Sequence, residues 1–319
     1  MTRMSRREIL LIHNGASLVG RNACERAVGI LRAGGYDPRP LSAATAQALS
    51  RDLTTTLRDA STRIAAVVAV GGDGMVHLVL QSLNRLREQG VEFPFGLIPA
   101  GSGNDLARFH GVPVGDVERA AGRVLRGLES PERSMDLVHV TCADGSHHVC
   151  ATAVCLGLDA RVNARANRWS SVTHSVKYVA ALAVEAVSMR ARRYDLSWTG
   201  PDGACHVSDR TLTFLALTNT SSIGGGLTIV PRADPTDGSG ELFMVSDVGA
   251  LRLAWLFPRL FLGTHESLRE VTVVPATAAT VAAHGIPSEP RNAAYGDGER
   301  LGPLPASLKV LPAAVRVLL

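Results

Sequence analysis

The stretch Val67-Val68-Ala69-Val70-Gly71-Gly72-Asp73-Gly74, answered about thirty residues on by Gly96-Leu97-Ile98-Pro99-Ala100-Gly101-Ser102-Gly103-Asn104-Asp105, decides the fold. Each begins as an apolar run, passes through glycines set beside a carboxylate, and opens a segment of helical periodicity. That is strand, turn and helix, twice over, in neighbouring βαβ units. Glycines at the end of a strand let backbone N–H groups approach phosphate oxygens with no Cβ in the way. A carboxylate in such a turn repels phosphate unless a divalent cation or a proton transfer makes it useful. The paired turns therefore point to metal-assisted handling of a nucleotide phosphate.

The flanking sequence keeps the same rhythm. Ile9–Ile12, Tyr36–Leu41, Ile64–Val70 and Phe95–Ile98 read as strands. Ala23–Arg32, Ala46–Leu57, Met75–Arg87, a segment begun by Asp105–Phe109, and Val117–Leu128 read as helices. Apolar strands alternating with amphipathic helices make a parallel sheet covered on both faces. From about Val138 the pattern becomes all-β. Val138–Cys142, Val149–Val154, Leu196–Trp198, Thr211–Thr218, Leu242–Val245, Val271–Val274, Thr280–Ala283, Ser307–Leu311 and Val315–Leu319 are short strands between Gly, Asp and Pro clusters. Two helices interrupt them: the basic segment Arg161–Arg192 and the apolar segment Leu251–Leu262.

With 319 residues, 46% apolar and 19% charged, the chain is globular and long enough for about two domains. Five cysteines without a CxxC pair argue against a disulfide framework or a zinc site and for a reducing cytosol. The start, MTRMSRREILLIHNG, has too short an apolar run for a signal peptide. No apolar stretch reaches the roughly 18 residues of a membrane span. A net charge of +4 suits an anionic surface or a nucleotide. Aromatics at 4%, with no basic-aromatic interleaving, argue against nucleic acid.

Gly71–Gly74 together with Pro99–Arg108 resembles the catalytic domain shared by bacterial soluble diacylglycerol kinases and eukaryotic sphingosine kinases. The likeness continues through the lone Asp136, the Gly224–Gly226 turn with Asp237-Gly238, Asp297-Gly298-Glu299, and the closing Leu311–Val315. It spans essentially the whole chain. Some positions depart from the family pattern. The proline of the family's first-strand motif is absent from Asn14-Gly15-Ala16-Ser17, Met75 stands where the family has threonine, and the loop after Asp237-Gly238 is longer. Met75 with His77 is closer to the sphingosine kinases.

The resemblance implies an α/β N-terminal domain, Rossmann-like and of the NAD-kinase/diacylglycerol-kinase type, over residues 1–137. A mainly antiparallel β-sandwich follows over 138–304, with 305–319 packing back on the first domain. It implies ATP held by Asn14, Ser17, Ser42, Gly71, Gly72, Asp73, Gly74, Met75, Gly101, Ser102 and Asn104. Asp73 also reads as a helix cap at Met75, and Asn104 and Asp105 as caps of the helix that follows. Mg²⁺ falls to Asp237 and Asp234, with Asp73 and Asp136 near metal or its waters, although Asp237 also reads as a surface turn and Asp136 as a polar strand start. Asp297 or Glu299 is the base that accepts the proton of an attacking lipid hydroxyl, with Asp297 preferred. An isolated Asp-Gly pair is otherwise an ordinary turn.

The expected activity is phosphoryl transfer from ATP to a lipid hydroxyl, diacylglycerol to phosphatidate first. A sphingoid base or other lipid alcohol is next, then NAD kinase, then a non-catalytic lipid or nucleotide sensor. The partner is a membrane surface on the cytoplasmic inner face, met peripherally through Arg161–Arg193 and Leu251–Leu262, and a homodimer is compatible with the family.

Overall fold

The computed structural model describes residues 7–59, 63–130, 132–156, 191–224, 226–249, 252, 259, 263–284 and 293–319. They form two compact units, Met1–Met135 with Ala313–Leu319, and Asp136–Pro312.

Unit 1 runs β1 (Glu8–His13), α1 (Leu18–Ala33), β2 (Asp37–Leu41), α2 (Ala46–Asp59), β3 (Ile64–Gly71), α3 (Asp73–Arg87), β4 (Phe95–Pro99), α4 (Asp105–Phe109) and α5 (Val117–Glu129). The strands pair in parallel in the order β2-β1-β3-β4. Ile9 to Ile12 and Ala66 to Val68 are fully buried, as a parallel sheet covered on both faces requires. α1 starts on Ser17, whose Oγ accepts the Gly20 N–H at 3.1 Å. α5 starts on Asp116, which accepts from Arg119 N. The chain end adds to this sheet: Leu318 N donates to Phe95 O at 2.8 Å, and Val317 bridges Phe95 in parallel.

His110, just after α4, gives unit 1 an acid-sensitive point. Burial pushes its imidazole down from 6.5 to about 4, and the Arg123 guanidinium adds to the shift. Its Nε2 faces Met135 Sδ at 3.4 Å, an apolar partner. A depressed histidine contributes stability that is full above pH 6.5 and is lost as pH falls toward 4. Unit 1 should lose up to about 3 kcal/mol over that window. His110→Leu should shrink the loss, measured as denaturant midpoints at pH 7 and pH 4.5.

Unit 2 is the antiparallel, sandwich-like unit. Its strands are β5 (Ser134–Cys142), β6 (His147–Cys150), β7 (Ala153–Leu156), β8 (Arg192–Thr199), β9 (Cys205–Thr218), β10 (Ser222–Ile223), β11 (Leu227–Thr228) and β12 (Gly240–Ser246). They continue as β13 (Val271–Ala276), β14 (Ala278–Ala283), β15 (Ala293–Gly296), β16 (Glu299–Pro303) and β17 (Ala306–Arg316). The order is β16-β15-β7-β9-β8-β14-β17-β5-β6, with β12 between β9 and β13. Period-two alternation gives β7, β9 and β12 two separate cores. Val154, Leu156, Leu215, Leu217, Leu242 and Met244 face the larger one. Ala153, Cys155, Phe214, Ala216, Phe243 and Val245 face a second one, closed by Leu227, Ile229 and Val230. Strands buried on both faces read as continuous apolar runs, which is how they look in the sequence.

Several sequence expectations are corrected. Val149–Val154 is two strands, because the chain bends at Ala151–Thr152 and turns both N–H groups onto Asp297. Ser307–Leu311 and Val315–Leu319 are not separate. β17 runs through Pro312, which lies beyond the stretch paired with β14, so its missing N–H costs no bond to that strand. Arg192 and Arg193 open β8 instead of ending a helix, and the Arg193 Nε donates to Asp209 Oδ1 on β9 at 2.7 Å. The rest of the basic segment, and nearly all of Leu251–Leu262, lies outside the described residues. No helix of the described residues is long and apolar enough to cross a membrane.

Candidate active site

In unit 1 the two glycine turns touch each other through bare backbone. A Cβ on Gly101 would sit 2.1 Å from Gly72 Cα, and one on Gly72 would sit 2.9 Å from Gly101 Cα. Ala100 N donates to Gly71 O at 2.9 Å. None of Gly71, Gly72, Gly101 and Gly103 has a positive φ, so close approach is what demands glycine there.

Asp73 locks the second turn to the first. Its Oδ2 accepts the Asn104 N–H and its Oδ1 the Asp105 N–H, both at 2.8 Å. It thus caps α4, the helix of the other turn, and not its own helix, since the N-cap of α3 is Gly72. Gly103 leaves room for it, because a Cβ there would lie 2.2 Å from Asp73 Oδ2. Asn104 does not cap α4 with its side chain. It is buried in a left-handed conformation (φ 57°), and its amide closes back on Gly101, donating to the carbonyl at 2.8 Å and accepting the N–H at 3.2 Å.

These bonds leave the N-terminus of α3 without a side-chain cap. A helix start built from Gly72, Asp73 and Gly74, whose N-cap residue offers no side-chain acceptor, has the dipole and the small residues that suit an anion. Met75, the next residue, packs with its Cβ 2.8 Å from where a Gly71 Cβ would be. Ser102 is half-buried in the second turn. After β1, Asn14 Oδ1 accepts Ala16 N at 2.9 Å, and a Cβ on Gly15 would meet Ser42 Oγ at 3.4 Å. The loops carrying Asn14, Ser17 and Ser42 are therefore neighbours at the carboxyl end of the sheet, where open α/β sheets take their ligands.

In unit 2, Asp297 and Gly298 are the central residues of a two-residue hairpin joining β15 to β16, with φ of 51° and 83°. Positive φ at both central positions defines a type I′ turn, which favours Asp-Gly. The Asp297 side chain does more than turn chemistry asks. Its Oδ2 accepts Ala151 N at 2.8 Å, and its Oδ1 accepts Thr152 N at 2.8 Å and Thr152 Oγ1 at 2.6 Å. Glu299, at the foot of the same hairpin, is exposed. Gly296 is pressed against Cys150, whose thiol is pushed well up by burial and by Asp297.

A buried amide links this carboxylate to the loop at 234–239. Asn219, 1% exposed, donates through Nδ2 to Asp136 O at 2.8 Å and to Ala151 O at 2.9 Å. Asp136, also buried, donates its N–H to Pro235 O and accepts Gly238 N on Oδ2, both at 2.7 Å. Asp234 Oδ1 accepts from Thr236 N and Oγ1, and Asp237 Oδ1 from Ser239 N and Oγ. The loop is also over-supplied with negative charge. Burial pushes the Glu241 carboxyl up, Arg232 opposes this, and Asp237 and Glu266 add to it. Glu241 Oε2 and Glu266 Oε1 are buried with no hydrogen-bond partner. The donors are all oxygens, the kind a hard divalent cation takes, although among the described residues no three carboxylates of this loop bring their oxygens within 4.8 Å of one another.

Thr152, Asn219 and Glu241 were not singled out from sequence. The signal available for Asn219 was a polar Asn-Thr pair closing the longest apolar strand. Thr152 and Glu241 carry none, because their roles arise from contacts distant along the chain.

Residues 8–140 match the Diacylglycerol kinase catalytic domain, and residues 152–319 match the YegS C-terminal NAD kinase beta sandwich-like domain. A Diacylglycerol kinase of Mycobacterium tuberculosis is 36% identical over 253 residues, covering 79% of this chain and 76% of that protein. A probable lipid kinase YegS-like of Stenotrophomonas maltophilia is 27% identical over 261 residues, covering 80% and 78%. The structure of a putative diacylglycerol kinase from Bacillus anthracis covers 98% of this chain and 97% of its own at a TM-score of 0.75 and 17% identity, a shared fold.

Proposed function

From the premise that the chain belongs to the diacylglycerol kinase family, we propose that it transfers the γ-phosphate of ATP to a lipid hydroxyl, diacylglycerol giving phosphatidate. The observation that carries the reading is the uncapped, glycine-built start of α3, set beside a second glycine turn that Asp73 holds in place.

Unit 1 supplies the nucleotide groups. The N–H groups at the start of α3 and those of Ser102 and Gly103 in the second turn bind phosphate oxygens, since Gly101 N and Asn104 N already donate to Asn104 Oδ1 and Asp73 Oδ2, and Asn14, Ser17 and Ser42 lie toward the nucleoside. Unit 2 supplies the carboxylates. Asp297 takes the proton of the lipid hydroxyl as its oxygen bonds to the γ-phosphorus and the bond to ADP breaks. The Ala151 and Thr152 N–H groups and the Thr152 hydroxyl aim the Asp297 carboxylate. Asp237, Asp234 and Asp136, with Glu241 beside them, are the residues that would hold Mg²⁺. Such an ion supplies charge neutralisation for carboxylate and phosphoryl oxygens. Asp73, with both oxygens on backbone N–H groups, acts here as the lock of the nucleotide turns.

Glu241→Gln gives a check that needs no turnover. Removing a buried charge should raise the thermal midpoint by about 2–4 °C at pH 7 without Mg²⁺. The gain should vanish near pH 4, where the raised Glu241 carboxyl is itself protonated. Added Mg²⁺ should stabilise the parent protein more than the variant.

The substrate reading is tested with γ-labelled ATP, Mg²⁺ and a panel of diacylglycerol, sphingosine and ceramide in anionic or neutral vesicles, with NAD alongside. Label is expected in phosphatidate, with anionic vesicles preferred through the basic segment Arg161–Arg193. Label in NADP alone would overturn the lipid assignment, and no label in any product would leave a sensor.

A further inference from the structure

We infer that Thr152 is a positioning residue for Asp297, its hydroxyl fixing the carboxylate in the orientation that accepts the substrate proton. The inference rests on the assignment of Asp297 as base. A type I′ Asp-Gly turn explains the backbone at Asp297 and Gly298 but leaves the side chain to choose between solvent and protein. It turns inward, and its bond from Thr152 Oγ1, at 2.6 Å, is shorter than the 2.8 Å bonds from the Ala151 and Thr152 N–H groups. A hydroxyl donating to a carboxylate at that length is a charge-assisted bond, stronger than a neutral one.

The donor is itself held. Thr152 is 6% exposed, and its carbonyl accepts Asn219 N at 2.7 Å and Thr220 N at 3.1 Å. The Asn219 amide ties the neighbouring Ala151 carbonyl to Asp136. On the other side, Asp297 N donates to Ala153 O at 3.3 Å, and Gly296 pairs with Val154 across the β15–β7 ladder. The bend at Ala151–Thr152 is therefore fixed by backbone bonds that do not involve the hydroxyl. What the hydroxyl adds is a third point of attachment for one carboxylate, enough to set its plane as well as its position. Loss of that point removes the shorter of the two donor bonds on Oδ1 and loosens the carboxylate, and a reacting group misaligned by a fraction of an ångström loses rate steeply.

Thr152→Val removes the donor and keeps the shape, while Thr152→Ser keeps the donor and removes a methyl group. With ATP and diacylglycerol vesicles, Thr152→Val is expected to lower kcat about tenfold with both KM values within about twofold of the parent. Thr152→Ser should recover to within about threefold of the parent kcat. A far-UV spectrum and thermal midpoint establish that each variant is folded. Parent-like kcat in Thr152→Val would overturn the inference, as would equal losses in Val and Ser variants, which mark a packing role. Asp297→Asn, assayed in parallel, separates the two readings. If it keeps parent-like transfer, the base assignment falls and the inference falls with it. If it is inactive while Thr152→Val is unaffected, only the positioning role is lost.

Discussion

Asp297→Asn is expected to reduce phosphoryl transfer by about two to four orders of magnitude, the contribution of a positioned proton acceptor. The substitution is nearly isosteric, but it is not silent in the fold. Both carboxylate oxygens accept backbone N–H groups, from Ala151 and Thr152. An amide can offer an oxygen to only one of them and sets its own N–H₂ against the other. Leaving that donor unsatisfied should cost about 1–3 kcal/mol. The loss falls on unit 2, and nucleotide affinity, a property of the turns in unit 1, should stay within about twofold of the parent. Equilibrium binding of a fluorescent ATP analogue, run beside the transfer assay at a temperature well below the variant's midpoint, checks both halves. Glu299→Gln is the companion: Glu299 is exposed and should cost far less.

Gly101→Ala should have the largest effect on nucleotide binding. A Cβ at that position would lie 2.1 Å from Gly72 Cα and 2.6 Å from Gly72 N. Backbone cannot yield there as a flexible side chain can, so the two turns must separate. The separation pulls on Ala100 N to Gly71 O and on the two N–H bonds that reach Asp73. We expect a destabilisation of about 3 kcal/mol, the upper end for an overpacked site, and a loss of nucleotide affinity beyond tenfold. Gly29→Ala in α1 is the control. A Cβ there meets nothing within 4 Å, so the change should be neutral or gain up to about 1 kcal/mol from helix propensity. If Gly101→Ala bound nucleotide like the parent protein, the contact between the turns would have no bearing on the site.

The sequence announced the glycine turns but not their main reason. Phosphate approach is what the pattern suggests, and the uncapped start of α3 fits it. The tighter constraint is Gly72 against Gly101, a contact between residues about thirty positions apart that periodicity cannot reveal. Asp73 shows the same limit. As a cap it was expected to serve its own helix, whereas it serves α4, because the β3–β4 pairing brings the second turn alongside the first. The parallel sheet of unit 1 was legible because its central strands β1 and β3 are apolar runs between amphipathic helices. The antiparallel unit was legible as a class, yet its strand ends were not. The break at Ala151–Thr152 and the hairpin at Asp297-Gly298 follow from each other, through bonds that link residues far apart in the chain. The motif Asp297-Gly298-Glu299 was visible as a turn and as a candidate base, and the structure makes it both a type I′ turn and an anchored carboxylate.

The proposed reaction couples cleavage of ATP to phosphorylation of a lipid hydroxyl. The most direct measurement is the stoichiometry of ADP to phosphatidate formed by the unmodified protein with Mg²⁺ and diacylglycerol vesicles. One ADP per phosphatidate, and almost no ADP when lipid is omitted, is the expected result. ADP released without phosphatidate, or γ-phosphate recovered only in a water-soluble acceptor, would contradict it.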